Sequence, residues 1–324
     1  MDAAGPSGPP RPAGPAGEPA RPEVEGVVAV VNAGAGSAQP RTVAAVLDEL
    51  RRAGGGTPVE LRRTATLDDL RRALLEHDGR RVVLMGGDGS LHAALQVLHS
   101  AGAARDVGPL GIVPLGTGND LARSLRLPLD PVRAARTALG GCVRDLELLV
   151  DSRDRITVNT VHAGIGAAAT ARAERLKRLL GPAAYPVGAL WAGVGIGRGY
   201  RLRVQVDGRE VADPSDPVLL VGIGIGGTIG GGAPLVPGAD PHDGVADVVV
   251  STSTGPLARV GFAAGLRQGV HVERQDVRTA RGTVVEITSA GGPFRLNADG
   301  EVSGEQVRER FEMRADAWRA VCPG

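Results

Sequence analysis

The sequence predicts an α/β fold in which a doubly wound, parallel domain comes first and a mostly antiparallel domain follows. Three observations carry this expectation. Strand and helix patterns alternate through the first part of the chain, glycine-bearing turns follow the strands, and after about Asp145 the texture changes to short β-rich runs. Alternation implies a parallel sheet, because a strand returns parallel to its neighbour only through a crossover, most often a helix. Short runs bounded by turn residues favour antiparallel pairing.

The elements follow in order. Residues 1–24 are dense in proline, glycine and alanine and almost bare of large apolar side chains, the composition of a disordered tail. A β-branched run at 27–31 ends in Asn32-Ala33-Gly34-Ala35-Gly36, and Val43, Val46, Leu47 and Leu50 then keep helical spacing. A second helix is marked by Leu67, Leu70, Leu74 and Leu75. It leads to a buried-type strand at 81–85, the turn Gly86-Gly87-Asp88-Gly89-Ser90 and helical spacing over 91–98. The next strand, 110–114, closes on Leu115-Gly116-Thr117-Gly118-Asn119-Asp120 and a helix over 121–125. Later strands are expected at 156–161, 202–206, 218–223, 245–250 and 284–287, with one helical interruption over 167–180.

Composition excludes several partners. Lysine plus arginine (37) nearly balances aspartate plus glutamate (36), so no bulk field draws the chain to nucleic acid, and no nucleic-acid partner is expected. Cys142 and Cys322 lie far apart without metal-ligand spacing, which argues against a disulfide framework or a zinc site and fits a reducing, cytoplasmic setting. No apolar stretch approaches the ~20 residues a spanning helix needs. The N-terminus lacks the apolar core of a signal peptide.

Glycine turns after strands place backbone N–H groups where phosphate oxygens can meet them. Here the second turn adds Asp88, and the third adds Thr117, Asn119 and Asp120, polar groups that a merely structural turn does not need. Gly86-Gly87-Asp88-Gly89-Ser90 resembles the GGDGT signature shared by diacylglycerol kinases, sphingosine kinases, NAD kinases and phosphofructokinases. Leu115 with Gly116-Thr117-Gly118-Asn119-Asp120-Leu121-Ala122-Arg123 resembles the GTGNDxAR motif of the lipid kinases, which selects the diacylglycerol kinase family. Asn32 to Gly36 is similar to that family's NPxxG loop. Gly230-Gly231-Gly232 through Pro237, Ala239, Asp243-Gly244 and Asp247 resembles its GGG stretch, and Asp299-Gly300-Glu301 its DGE motif.

The resemblance implies a nucleotide-binding domain (25–147, completed by 311–324) and a β-sandwich lipid domain (148–310), with ATP in the cleft between them. Asn32, Gly34, Gly36, Thr64, Gly86, Gly87, Asp88, Gly89, Ser90, Gly116, Thr117, Gly118 and Asn119 are then expected to hold the nucleotide. Asp88 is expected near its Mg2+, and a second metal at Asp243 with the carbonyls of Asp240 and Val245. Asp299 and Glu301 are the implied catalytic pair alongside Asp88, expected to project from one side of a strand. The implied partner is a lipid substrate met peripherally at a membrane surface, with a homodimer left open.

Departures accompany the match. The family glutamate after GGDGT is Ala93, its preceding asparagine is His92, the acidic residue of the mid-chain glycine motif gives way within Gly166-Ala167-Ala168-Ala169, and the asparagine before the glycine triplet is Ile225. They motivate a second reading, a catalytically silent nucleotide- or lipid-binding relative. Kinases of sphingoid bases or NAD are further alternatives. His92, His162 and His242 have no partner at ligand spacing and are expected in packing or loop roles. Arg172, Arg175, Lys177 and Arg178 share a helical pattern with Leu176, Leu179 and Leu180, which suits either anionic lipid or solvent.

Deletion of residues 1–22 is expected to leave the melting temperature and activity unchanged, since such a segment has no apolar surface to add to a core. A fall of several degrees in a thermal melt would contradict this.

Overall fold

The structure, a computed structural model, describes residues 25–32, 39–164 and 199–324. Gly34 and Gly36 of the first turn, and the helix expected over 167–180, lie outside the described residues. The first domain alternates β1 (Val27–Asn32), α1 (Pro40–Ala53), β2 (Val59–Thr64), α2 (Leu67–Leu75), β3 (Arg81–Gly86), α3 (Asp88–Ser100), β4 (Gly111–Pro114), α4 (Asp120–Ser124) and α5 (Pro131–Gly140). Its four strands are parallel in the order β2-β1-β3-β4.

Period-two alternation explains why this sheet is covered on both faces. Val28 and Val30 of β1 pack with Leu74, Leu91, Leu95 and Leu98 of α2 and α3. Val27, Ala29 and Val31 pack with Val43, Val46 and Leu50 of α1 and Ala134 and Ala138 of α5. Local chemistry sets the helix starts. Thr66 and Asp69 form a reciprocal capping box on α2, and Asp130 caps α5 ahead of Pro131.

The second domain contains β5 (Cys142–Asp151), β6 (Ile156–Thr157), β7 (Thr160–Gly164), β8 (Leu202–Val206), β9 (Arg209–Ala212), β10 (Leu220–Gly224), β11 (Thr228–Ile229), β12 (Ala233–Pro234) and β13 (Ala246–Ser251). A helix, α6 (Pro256–Gln268), precedes β14 (Val277–Gly282), β15 (Val284–Ser289), β16 (Leu296–Ala298), β17 (Glu301–Val302) and β18 (Arg308–Cys322). Two six-stranded antiparallel sheets result, β14-β13-β10-β7-β16-β17 and β6-β5-β18-β15-β8-β9. Val161, Val221, Ile223, Val248 and Leu296 of one share a core with Val204, Val285, Ile287, Phe311 and Trp318 of the other. This is the packing of a sandwich.

One feature differs from the sequence expectation. Helix α6 was not foreseen, because Phe262 is its only buried side chain and its apolar stripe is weak. The last segment, expected to complete the first domain, runs as far as Cys322 in β18, which pairs with β5 and β15. It meets the first domain through Leu110, whose N–H donates to the Arg319 carbonyl (2.8 Å) and whose carbonyl accepts from Val321 (2.9 Å).

His162, in the middle of β7, is 6% exposed, and burial pushes its pKa down to about 4 from the ordinary 6.5. Between those values the unfolded chain takes up a proton that the folded one refuses, so stability falls as pH falls. The interval corresponds to roughly 3 kcal/mol. Replacing His162 with Gln is expected to shrink the loss of melting temperature between pH 7 and pH 4.5.

Candidate active site

The second and third glycine turns sit against each other. Gly86 and Pro114 are partners at the ends of β3 and β4, and the chain turns at once into α3 and, a few residues on, α4. A Cβ on Gly87 would lie 2.9 Å from the Gly116 Cα, and one on Gly116 2.6 Å from the Gly87 Cα, so only glycine allows this approach. Asn119, left-handed at φ 52°, closes the third turn: its Oδ1 accepts from the Gly116 N–H (2.9 Å) and its Nδ2 donates to the Gly116 carbonyl (2.8 Å). Expected as a nucleotide contact, Asn119 has its side-chain amide engaged on its own loop.

Asp88 opens α3 and accepts from the Leu121 N–H at the start of α4 (3.1 Å). Burial, opposed by that hydrogen bond and reinforced by the charge of Asp120, raises its pKa above the usual carboxylate value. A nearby cation would relieve this. Gly118 lies between the two carboxylates; a Cβ there would meet Asp88 at 3.0 Å and Asp120 at 3.4 Å.

Beyond the C-terminal ends of β1, β2 and β3 opens a cavity of about 160 Å³. Open α/β sheets take ligands at this edge. The structure brings Asn32, Thr64, Gly86 and Ser90 together there, between apolar walls that include Leu67 and Leu70. Thr64 is held by a hydrogen bond to the Val31 carbonyl (3.4 Å). Ala93 also lines the cavity, so the position of the missing glutamate is part of its wall.

The second domain supplies the opposite side. Asp120 accepts from the N–H groups of Gly231 (2.9 Å) and Gly232 (2.8 Å), in a glycine triplet whose φ values are all positive. Asn159 accepts from the Ser124 hydroxyl (2.8 Å) and donates to the Thr228 carbonyl (2.7 Å), joining α4 to β11. No local pattern marks Asn159 in the sequence. Ile225, where the family has asparagine, is fully buried.

Asp299 and Glu301 do not share a strand face. Asp299 is in the turn between β16 and β17 at φ 48°, and only Glu301 enters β17. The buried Asp299 carboxylate accepts from the N–H groups of Val158 (2.8 Å), Asn159 (3.0 Å) and Thr160 (3.0 Å), and from His92 Nδ1 (2.9 Å). A carboxylate has about four acceptor positions, and these contacts occupy them. Glu301 is exposed. His92, expected in packing, thus has an acidic partner 207 residues away; its place four residues after Asp88 is the signal that could have found it.

At the turn expected to hold a metal, Asp243 and Asp247 pair with Arg281, the latter at 3.1 Å. Beneath it Glu147 accepts from the Gly244 N–H (2.7 Å), and burial, with the charges of Asp243, Asp240 and Asp247, pushes its pKa up to about 7. Glu147 Oε1 and Asp247 Oδ2 are buried without hydrogen-bond partners. These oxygens suit a hard cation, yet among the described residues no three metal-ligating side chains converge into a cage. A lone glutamate within Leu146-Glu147-Leu148-Leu149 was the missed sequence signal.

Residues 26–150 match the diacylglycerol kinase catalytic domain, and residues 159–320 match the YegS C-terminal NAD kinase beta sandwich-like domain. The diacylglycerol kinase of Mycobacterium tuberculosis strain H37Rv is 33% identical over 227 residues, covering 68% of this chain and 70% of that protein. A YegS-like probable lipid kinase of Pseudomonas fluorescens strain Pf-5 is 33% identical over 285 residues, covering 85% and 89%. Among solved structures, one from Bacillus anthracis str. Sterne superposes with a TM-score of 0.74 at 20% identity, covering 94% of this chain and 97% of that one. A diacylglycerol kinase crystal structure from the same organism gives a TM-score of 0.67 at 18% identity over 93% and 97%. At those identities the likeness is one of fold.

Asp120→Ala would leave the Gly231 and Gly232 N–H groups without their acceptor. It is expected to lower the unfolding free energy by about 2–4 kcal/mol, with Asp120→Asn in between. Urea titration measures both, and an unchanged midpoint in the alanine variant would contradict the role.

Proposed function

The chain belongs to the diacylglycerol kinase and YegS-like family of lipid kinases, and from that premise we propose that it transfers the γ-phosphoryl of ATP to a lipid hydroxyl, diacylglycerol first among candidates. The observation that supports this reading is that three turns meet at the start of α3: Gly86 to Ser90 opens the helix, Gly116 packs on Gly87, and Asp299 of the second domain bonds to His92.

Phosphoryl transfer needs the nucleotide held, its charge neutralised and the acceptor hydroxyl placed in line. Asn32, Thr64, Gly86 and Ser90, which line the cavity, contact the nucleotide in this reading. The backbone of Gly87, Gly89, Gly116, Thr117 and Gly118 faces the phosphates in this reading. Asp88, whose carboxylate is disfavoured by burial and by Asp120, sits near the nucleotide's Mg2+. A second cation is held by Asp243 with the carbonyls of Asp240 and Val245. The lipid is met at a membrane surface; among the described residues no helix is long and apolar enough to cross one. Acceptor deprotonation falls to groups near the Asp299 turn, where Asp299 itself is saturated and Glu301 and His92 remain.

Ala93 in the cavity wall favours the second reading, a silent relative that binds without catalysis. Labelled ATP with Mg2+ and a panel of diacylglycerol, sphingoid base, ceramide, phosphatidylglycerol and NAD decides between them. The wild type is expected to label a lipid and to gain about 2.7 kcal/mol of stability at ligand concentrations near a hundred times Kd. Asp88→Asn, which can still accept from Leu121, is expected to lose about 10²–10³-fold in turnover, the scale for one preorganised charge-stabilising group. Stabilisation by ATP without transfer to any acceptor would favour the silent reading, and no stabilisation would remove both.

A further inference from the structure

We propose that Cys142 and Cys322, the two cysteines of the chain, form a reversible disulfide that fastens the junction between the two domains when a low-molecular-weight disulfide is present. This goes beyond the lipid-kinase reading and does not rest on it.

Far apart in the sequence, the two residues are direct partners in the antiparallel pairing of β5 with β18. A bulge puts them there. Leu148 faces Arg314 but Leu146 faces Trp318, so β18 gains length between these pairs and the pairing beyond moves along by two residues. Asp316, left-handed at φ 48°, lies in the bulge, and Trp318 fixes the new register by donating its indole N–H to the Glu147 carbonyl (3.1 Å). Without the shift Cys142 would face Ala320. Directly opposed residues project from the same face of a sheet, with Cα atoms about 4.5–5.5 Å apart, inside the ~4.4–6.8 Å range that a disulfide spans. Their Cβ atoms, about 4.5–5.5 Å apart in such a pair, need to close by about 1 Å. Cys142 is the first residue of β5 and Cys322 the last of β18, and strand ends yield most readily.

The pair sits where the chain passes from one domain to the other. Gly141, at the end of the last helix of the first domain, precedes Cys142. A Cβ on Gly141 would run into the Cys322 carbonyl oxygen, so the linker and the end of β18 are in an approach that only glycine allows. Beside Cys322, the Val321 N–H donates to the Leu110 carbonyl (2.9 Å), and the Arg319 carbonyl accepts from the Leu110 N–H (2.8 Å). A bond between the two sulfurs ties the linker to the strand that docks on Leu110.

The two thiols have different parts to play. Cys142 is exposed and Cys322 is buried. Burial, opposed by the charge of Arg144 and reinforced by that of Cys142, pushes the Cys322 thiol up to about 11. Cys142 is therefore the thiol that meets the small disulfide, and Cys322 the one that completes the bond. The Cys142 thiolate attacks one sulfur of the small disulfide, whose S–S bond breaks and releases one half as a thiol. Cys322 then gives its proton to solvent and attacks the Cys142 sulfur. The bond from Cys142 to the remaining half breaks, and that half leaves as a second thiol. Two electrons pass from the protein to the small disulfide, and an excess of the small thiol reverses both steps. In a reducing setting such a bond is transient and redox-sensing rather than structural.

The test treats the full chain with glutathione disulfide, alkylates the remaining thiols under denaturing conditions and weighs the intact protein. The wild type is expected to lose two hydrogens, to take no alkyl group and to yield on non-reducing digestion a peptide that joins Cys142 to Cys322. Dithiothreitol is expected to restore both thiols. Cys322→Ala is expected to stop with glutathione on Cys142, and Cys142→Ala to keep Cys322 as a free thiol. In the oxidised wild type, hydrogen exchange at the Leu110 and Val321 amides is expected to slow, because opening the junction there then strains a covalent tie. A wild type that retains glutathione on Cys142 without closing, or that links one chain to another, overturns the disulfide. Unchanged exchange at Leu110 and Val321 overturns the fastening of the junction. Should either alanine variant fail to fold, the wild-type digest decides alone.

Discussion

The site depends on a contact between two stretches of backbone. Gly87 and Gly116 approach so closely that neither could carry a Cβ without entering the other. That approach fixes the starts of α3 and α4 relative to each other, and it places Asp88 against the amide of Leu121. A substitution at either glycine would separate both helix starts at once. Asn119, whose amide closes the third turn on Gly116, makes the same demand from the side.

Around this contact, acidic side chains act mainly as connectors. Asp88 joins α3 to α4, Asp120 joins α4 to the glycine triplet, and Asp299 joins the late turn to the 158–160 segment and to α3. A carboxylate whose oxygens are taken up by several N–H groups is held in one orientation. Motif membership therefore does not by itself identify which acid performs chemistry.

The first domain was largely legible because its signals are local. The valine run of β1, the helical spacing of Val43 to Leu50 and the strand-to-glycine transitions at Gly86 and Leu115 each need only a short window. The features that escaped are those set by distant partners. The strand β5 was not anticipated, since its first four residues are exposed and its register is dictated by β18. Helix α6 rests on one buried aromatic. At the site, the glycines, Asp88 and Thr64 were readable from pattern and resemblance, whereas the contact between His92 and Asp299 joins residues that no window spans. Glu147 was visible only as a charge within an apolar run, and the acidic turn above it comes from a different part of the chain.

The placement of β18 bears on how the chain reaches this structure during synthesis. Its fifteen residues lie in the middle of a sheet, between β5 and β15, and Trp318 reaches back across 171 positions to donate its indole N–H to the Glu147 carbonyl (3.1 Å). Until residues 308–322 have left the ribosome, β5 has an open edge and Leu110 lacks its two backbone partners. Exposed strand edges of this kind invite wrong pairing while they wait. The burden of such waiting grows with the sequence separation of the partners. Truncations that remove β18 would therefore leave an aggregation-prone half-sheet, although the glycine turns and the α/β domain would already have been made.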